Sequence, residues 1–171
     1  MAIPKRHKST QGTYFVTSRT WQSRPLFTSE SACTIFIQTI YHYRDKKAYQ
    51  LHAFVLMRDH FHVLLTPGQD VTLERAIQYI KGGSAYRIGK ELSFRFPVWQ
   101  RGFSDHRIRD MEDYEGHLRY MEWNPVKAKL CCAPAEYQWC SACGRFELDE
   151  VPQGLKPPVV ARPHGTAKAV P

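Results

Sequence analysis

The chain has 171 residues, 43% hydrophobic and 23% charged, which bounds it to one globular domain with a short tail and a core that needs no cross-links. Its 24 Lys and Arg against 16 Asp and Glu, a net charge of +8, favour polyanions, either nucleic acid or an anionic membrane surface. The longest early apolar run, at 53–57, is far short of the ~20 residues that cross a bilayer. The basic start is followed by no apolar segment of the secretory type, so no membrane partner and a cytoplasmic address are expected.

In chain order, residues 1–10 are polar and basic and read as a flexible end. Residues 13–17 are β-branched and aromatic and predict a first strand. After a loop containing Arg24-Pro25, Thr28 or Ser29 can cap a helix running to about Asp45. Its apolar stripe is Cys33, Phe36, Ile37, Ile40 and Tyr41. Strands at 49–57 and 60–66 are separated only by Arg58-Asp59, which predicts a tight antiparallel hairpin. Thr72 can cap a second helix with Leu73, Ala76, Ile77 and Ile80 buried, and Gly82-Gly83 predicts a kink or break before 85–92.

Residues 96–99 predict a fourth strand, with Pro97 placing it at an edge. A basic loop follows at 101–109, and Asp110 caps a third helix from Met111 to about Trp123, closed by Asn124-Pro125. The prolines after Val151 predict a disordered tail. The expected organisation is a flexible terminus at 1–10, a domain at 11–148 and a Pro-rich tail at 149–171. The order β-α-β-β-α-β plus a helix predicts an α+β fold: a central antiparallel sheet of ferredoxin/RRM-like order with the added helix on the opposite face. Five cysteines, an odd number, argue against a disulfide framework, and the spacing of Cys140 and Cys143 is the only hint of zinc.

Among the motifs, His60-Phe61-His62 is the most informative. On a strand both imidazoles project to one face while Phe61 points to the other, so the pair can share one divalent ion. The alternative is a pair of surface histidines flanking a core phenylalanine. On the third helix Tyr114, Leu118 and Met121 form the core stripe, while His117, Tyr120 and Asn124 share a neighbouring face. Tyr120 and Asn124 can act as nucleophile and metal ligand, or be a helix-edge tyrosine and a capping asparagine. Spacing leaves both readings open.

The segment Leu56-Met57-Arg58-Asp59-His60-Phe61-His62-Val63-Leu64-Leu65 resembles the HUH motif of single-tyrosine transposases. Val98-Trp99-Gln100-Arg101-Gly102-Phe103 and Asp105-His106-Arg107-Ile108-Arg109-Asp110 resemble that family's second block, and Asp113 through Lys127 resembles its tyrosine helix. Over residues 10–145 the chain is similar to the REP-associated tyrosine transposases. The resemblance implies that His60, His62 and Asn124 hold Mg²⁺ or Mn²⁺ and that Tyr120 cleaves single-stranded DNA at a hairpin or palindrome, leaving a 5′-phosphotyrosine. Arg58 and Lys129 depart from the family's usual proline and glycine.

On the substrate side, Lys81, Arg87, Arg101, His106, Arg107 and Arg109 are expected to contact DNA. A monomer is expected to carry the whole site. The competing classes are a catalytically silent RRM-like binder of single-stranded nucleic acid and an HUH replication or conjugation nickase.

Overall fold

The computed structural model describes residues 12–95 and 97–155. Strand β1 (Tyr14–Arg19) leads through two short 3-10 turns into helix α1 (Glu30–Asp45). A hairpin of β2 (Tyr49–Leu56) and β3 (His60–Pro67) precedes helix α2 (Leu73–Glu91), strand β4 (Ser104–Arg107) and helix α3 (Met111–Lys127). All pairings are antiparallel and the order is β2-β3-β1-β4, the ferredoxin-like arrangement expected from the element order. The histidine strand β3 is therefore central, paired on both sides.

Alternation along the strands sorts the chain into two cores. Tyr14, Val16, Phe61, Val63 and Leu65 face α1 and α2, joined by Phe36, Ile40, Leu73, Ile77 and Ile80. Phe15 and Leu64 face the other way and pack with Tyr114, Met121 and Cys140 beneath α3. A register shift between Leu51 and Ala53 lets β2 contribute to both sides. Ser29 caps α1 by accepting from the Ala32 N–H, and the expected stripe of Cys33, Phe36 and Ile40 is buried, with Ile37 and Tyr41 at its margin.

Helix α2 runs unbroken through Gly82-Gly83, contrary to the expected break. A Cβ at Gly83 would lie 2.7 Å from Tyr43 Cε2 and 3.0 Å from Thr39 Cγ2, so this glycine lets α2 approach α1 closely. Burial of Ala76, Ile77, Ile80 and Ile88 outweighs the ~1 kcal/mol that each glycine costs a helix.

The fourth strand is also placed differently. Phe96 lies outside the described residues, and Trp99 makes only an isolated bridge to Thr20. Its buried indole donates to Ser84 Oγ at 3.0 Å. The strand that completes the sheet is Ser104–Arg107, within the stretch expected as a basic loop.

Helix α3 continues past Asn124 to Lys127 with Pro125 inside it. Proline forgoes one backbone donor in the last turns, but Asn124 O still accepts from Ala128 N–H at 3.0 Å and Pro125 O from Leu130 N–H at 2.9 Å.

Asp149, the first residue of the expected tail, is docked. Its carboxylate accepts from Arg44 Nε and Nη2 at 2.9 and 3.0 Å and from the Leu51 N–H at 2.7 Å. The expected flexible terminus at 1–10 and the stretch from 156 onward fall outside the described residues. All five cysteines are free, and none joins a metal-ligating group among the described residues. No described helix is long and apolar enough to cross a membrane.

Candidate active site

The register of β1 against β3 builds the first half of the site. Arg19 pairs with His60, Thr17 with His62 and Phe15 with Leu64, so these side chains share the α3 side of the sheet. His62 is 4% exposed. Its Nδ1 lies 2.6 Å from Thr17 Oγ1, and its Nε2 is 3.2 Å from Asn124 Nδ2. With the Asn124 amide donating to Nε2, the ring proton sits on Nδ1 and is donated to Thr17. Burial, helped by the charges of His60 and Arg19, pushes the His62 pKa down to about 3. Its imidazole is thus neutral at physiological pH, the form that ligates metals.

His60 stands at the strand's start with Nδ1 2.6 Å from Asp59 Oδ1, while Arg19 Nη1 reaches Asp59 Oδ2 at 3.3 Å. A carboxylate on Nδ1 fixes the ring and leaves Nε2 as the free donor. The two imidazole centroids are 4.9 Å apart. These donors suit a divalent cation: two imidazole nitrogens, and an amide whose half-turn would exchange Nδ2 for Oδ1.

Helix α3 supplies the second half. Tyr114 is 3% exposed, within the core stripe, and burial raises its pKa. Tyr120 is 44% exposed. Its ring lies 5.4 Å from that of His62 and 6.0 Å from that of Phe15, and Lys127 Nζ is 5.6 Å from its centroid. Tyr120 and Asn124 therefore both meet His62, from one helix face. The cavity between sheet and helix has a volume of about 600 Å³ and is lined by Thr17, Arg19, His62, Asp113, His117 and Tyr120, among others.

Of the six residues expected to contact DNA, only some are near this cavity. Arg101 borders an adjoining groove with Arg19, Phe103 and Ser104. His106 turns toward α3, where Nε2 is 2.8 Å from Asp113 Oδ2, and Arg109 Nε is 3.4 Å from the same oxygen. Arg107 pairs with Tyr14 and so points to the sheet's other side.

Lys81 and Arg87 are on α2, across the sheet from the histidines. Lys81 Nζ donates to the carbonyls of Gln100 and Gly102, and burial lowers its pKa to about 8. It clamps the loop before β4, a task its charge alone could not reveal. Arg87 is held by Glu91 and Gln38, each at 2.7 Å. Sequence reasoning missed Thr17, Asp59, Phe15 and Asp113. Only Asp59, adjacent to His60, and Asp113, one turn before His117, carry any local signal.

Comparisons with known proteins agree with the fold. The family model for IS200-like transposases matches residues 8–121, more than half of the chain, and the chain belongs to that family. His60, His62 and Tyr120 fall within the match, and Asn124 just beyond it.

A REP-associated tyrosine transposase of Escherichia coli K12 is 31% identical over 85 residues, covering 49% of this chain and 48% of the relative. A Haemophilus influenzae protein named for the same group is 33% identical over 100 residues, covering 53% and 54%. The chain thus spans about half the length of the curated relatives it matches. A solved REP-associated tyrosine transposase bound to a REP hairpin superposes with a TM-score of 0.68 at 20% identity, over the full length of both chains, a likeness of fold.

Proposed function

We propose that the chain is a metal-dependent, single-tyrosine endonuclease and strand-transferase acting on single-stranded DNA at a hairpin. The observation that carries this reading is the packing of the accessible Tyr120 ring 5.4 Å from His62, within a chain that belongs to the IS200-like transposases. The Tyr120 hydroxyl oxygen attacks a phosphodiester phosphorus. The bond to the 3′ oxygen breaks, giving a 5′-phosphotyrosine and a free 3′-hydroxyl. Attack by a 3′-hydroxyl reverses the step and joins strands without an external energy source.

Nε2 of His60, Nε2 of His62 and the Asn124 amide oxygen would hold Mg²⁺ or Mn²⁺, which supplies charge stabilisation at the phosphate. Thr17 and Asp59 keep the two imidazoles in the ligating tautomer. Arg19 and Arg101, which border the groove beside the cavity, give the DNA backbone cationic partners. The meeting of His62 and Tyr120 within one chain supports a site used in cis by a monomer.

The test is incubation of labelled, hairpin-bearing single-stranded DNA with Mg²⁺ or Mn²⁺. A covalent adduct is expected from the unmodified protein and from Tyr114→Phe, and none from Tyr120→Phe. An adduct that persists in Tyr120→Phe overturns the assignment. No adduct from any substrate favours the silent binding module.

A further inference from the structure

We propose that His106, Asp113 and His117 form a second binding site for a divalent transition-metal ion, distinct from the histidine pair of β3. One ligand atom from each of the three lies within 4.8 Å of the others. The Asp113 side chain, 10% exposed, is the hub: His106 Nε2 is 2.8 Å from Oδ2 and His117 Nδ1 is 3.2 Å from Oδ1.

The two imidazoles stack with centroids 4.7 Å apart and planes at 20°. One cation can be shared by two rings so placed. Two imidazole nitrogens with one carboxylate oxygen favour Zn²⁺, Co²⁺ or Mn²⁺ over Mg²⁺. His117 Nδ1 is also 2.9 Å from the Asp113 carbonyl oxygen, and Arg109 Nε is 3.4 Å from Oδ2. The Arg109 contact is exchangeable, since its side chain is 75% exposed and can return to water.

Phe15 is the neighbour common to the two sites. Its ring touches both clusters, 5.2 Å from that of His62 and 4.6 Å from that of His117. Asp113 and His117 line the same cavity as Tyr120, and the open coordination positions of an ion held there would face that space. The chemistry implied is a second docking point for a phosphate oxygen or water.

The experiment is a Zn²⁺ titration followed by calorimetry, with Co²⁺ absorption as an independent readout. Two equivalents are expected for the unmodified protein. One is expected for His106→Gln, on the exposed edge strand, one for His117→Gln, and one for the double variant His60→Gln/His62→Gln. A stoichiometry unchanged in both His106→Gln and His117→Gln overturns the second site. So does a single equivalent that only the His60/His62 variant loses. If one equivalent binds and His106→Gln abolishes it, the second site stands while the metal site proposed on β3 falls.

Discussion

Thr17 and His62 face each other across the β1–β3 ladder with Oγ1 and Nδ1 2.6 Å apart. This contact decides which imidazole nitrogen is left for a ligand. Thr17→Val keeps the shape and the β propensity but removes the acceptor. The expected outcome is a ~10–100-fold loss of metal affinity or DNA cleavage, the usual effect of deleting an outer partner of a ligating histidine, with the fold retained. Metal titration and adduct yield measured on the same preparation check it.

The proposed cis assembly of the site is open to a mixing experiment. Tyr120→Phe retains the histidine pair and His62→Ala retains the phenol, and in the structure those groups meet within one chain. Mixing the two variants should yield no covalent adduct above either alone. Recovery of activity in the mixture would show that the tyrosine is donated between chains.

The two adjacent glycines of α2 should respond oppositely to alanine. Nothing lies within 4 Å of a Cβ at Gly82, so Gly82→Ala should stabilise by up to ~1 kcal/mol through helix propensity. At Gly83 the new methyl meets Tyr43, whose ring is stacked on Tyr79 at 4.8 Å and has little room to yield. Gly83→Ala should destabilise by ~1–3 kcal/mol. Denaturant midpoints of the two variants give the comparison.

Asp149 provides a pH signature. Burial raises its pKa, but the hydrogen bonds from Arg44 and the Leu51 N–H, with the charge of Arg44, more than compensate and leave it below 3.8. A carboxylate with a depressed folded-state pKa contributes stability that is present above its unfolded value and lost as pH falls through the folded one. Acid unfolding of Asp149→Asn should therefore show a shallower loss of stability below about pH 4. At neutral pH this variant should be less stable by ~1–3 kcal/mol, because the carboxylate's charged and backbone donors lose their acceptor.

Elements with a strong hydrophobic period were legible in the sequence. Helix α1 and its Ser29 cap, the β2–β3 hairpin and the buried stripe of α3 all follow from local pattern. Strand β4 was not legible, because Ser104-Asp105-His106-Arg107 lacks apolar alternation. It is an edge strand with a half-buried histidine directed at Asp113 rather than at an oily core. The continuity of α2 was hidden because the tight fit at Gly83 depends on Tyr43, forty residues away.

In the candidate site, alternation put His60 and His62 on one face, and helical spacing put Tyr120 beside Asn124. Thr17 could not be found in the same way, since its role exists only through the β1–β3 register. Lys81 and Arg87 were named for their charge, which says nothing about carbonyls and carboxylates that already engage it.

Helix α3 is fastened to the sheet by Tyr114 and Met121, while Tyr120 and Asn124 ride on the adjoining stripe of the same rod, separated by about one turn. The phenol and the amide are thus mechanically linked. A tilt of the rod that swung the phenol toward solvent would also lift the amide from His62, so under the proposed mechanism release of a tethered strand and loosening of an ion would be a single motion. A helix that stays seated holds both.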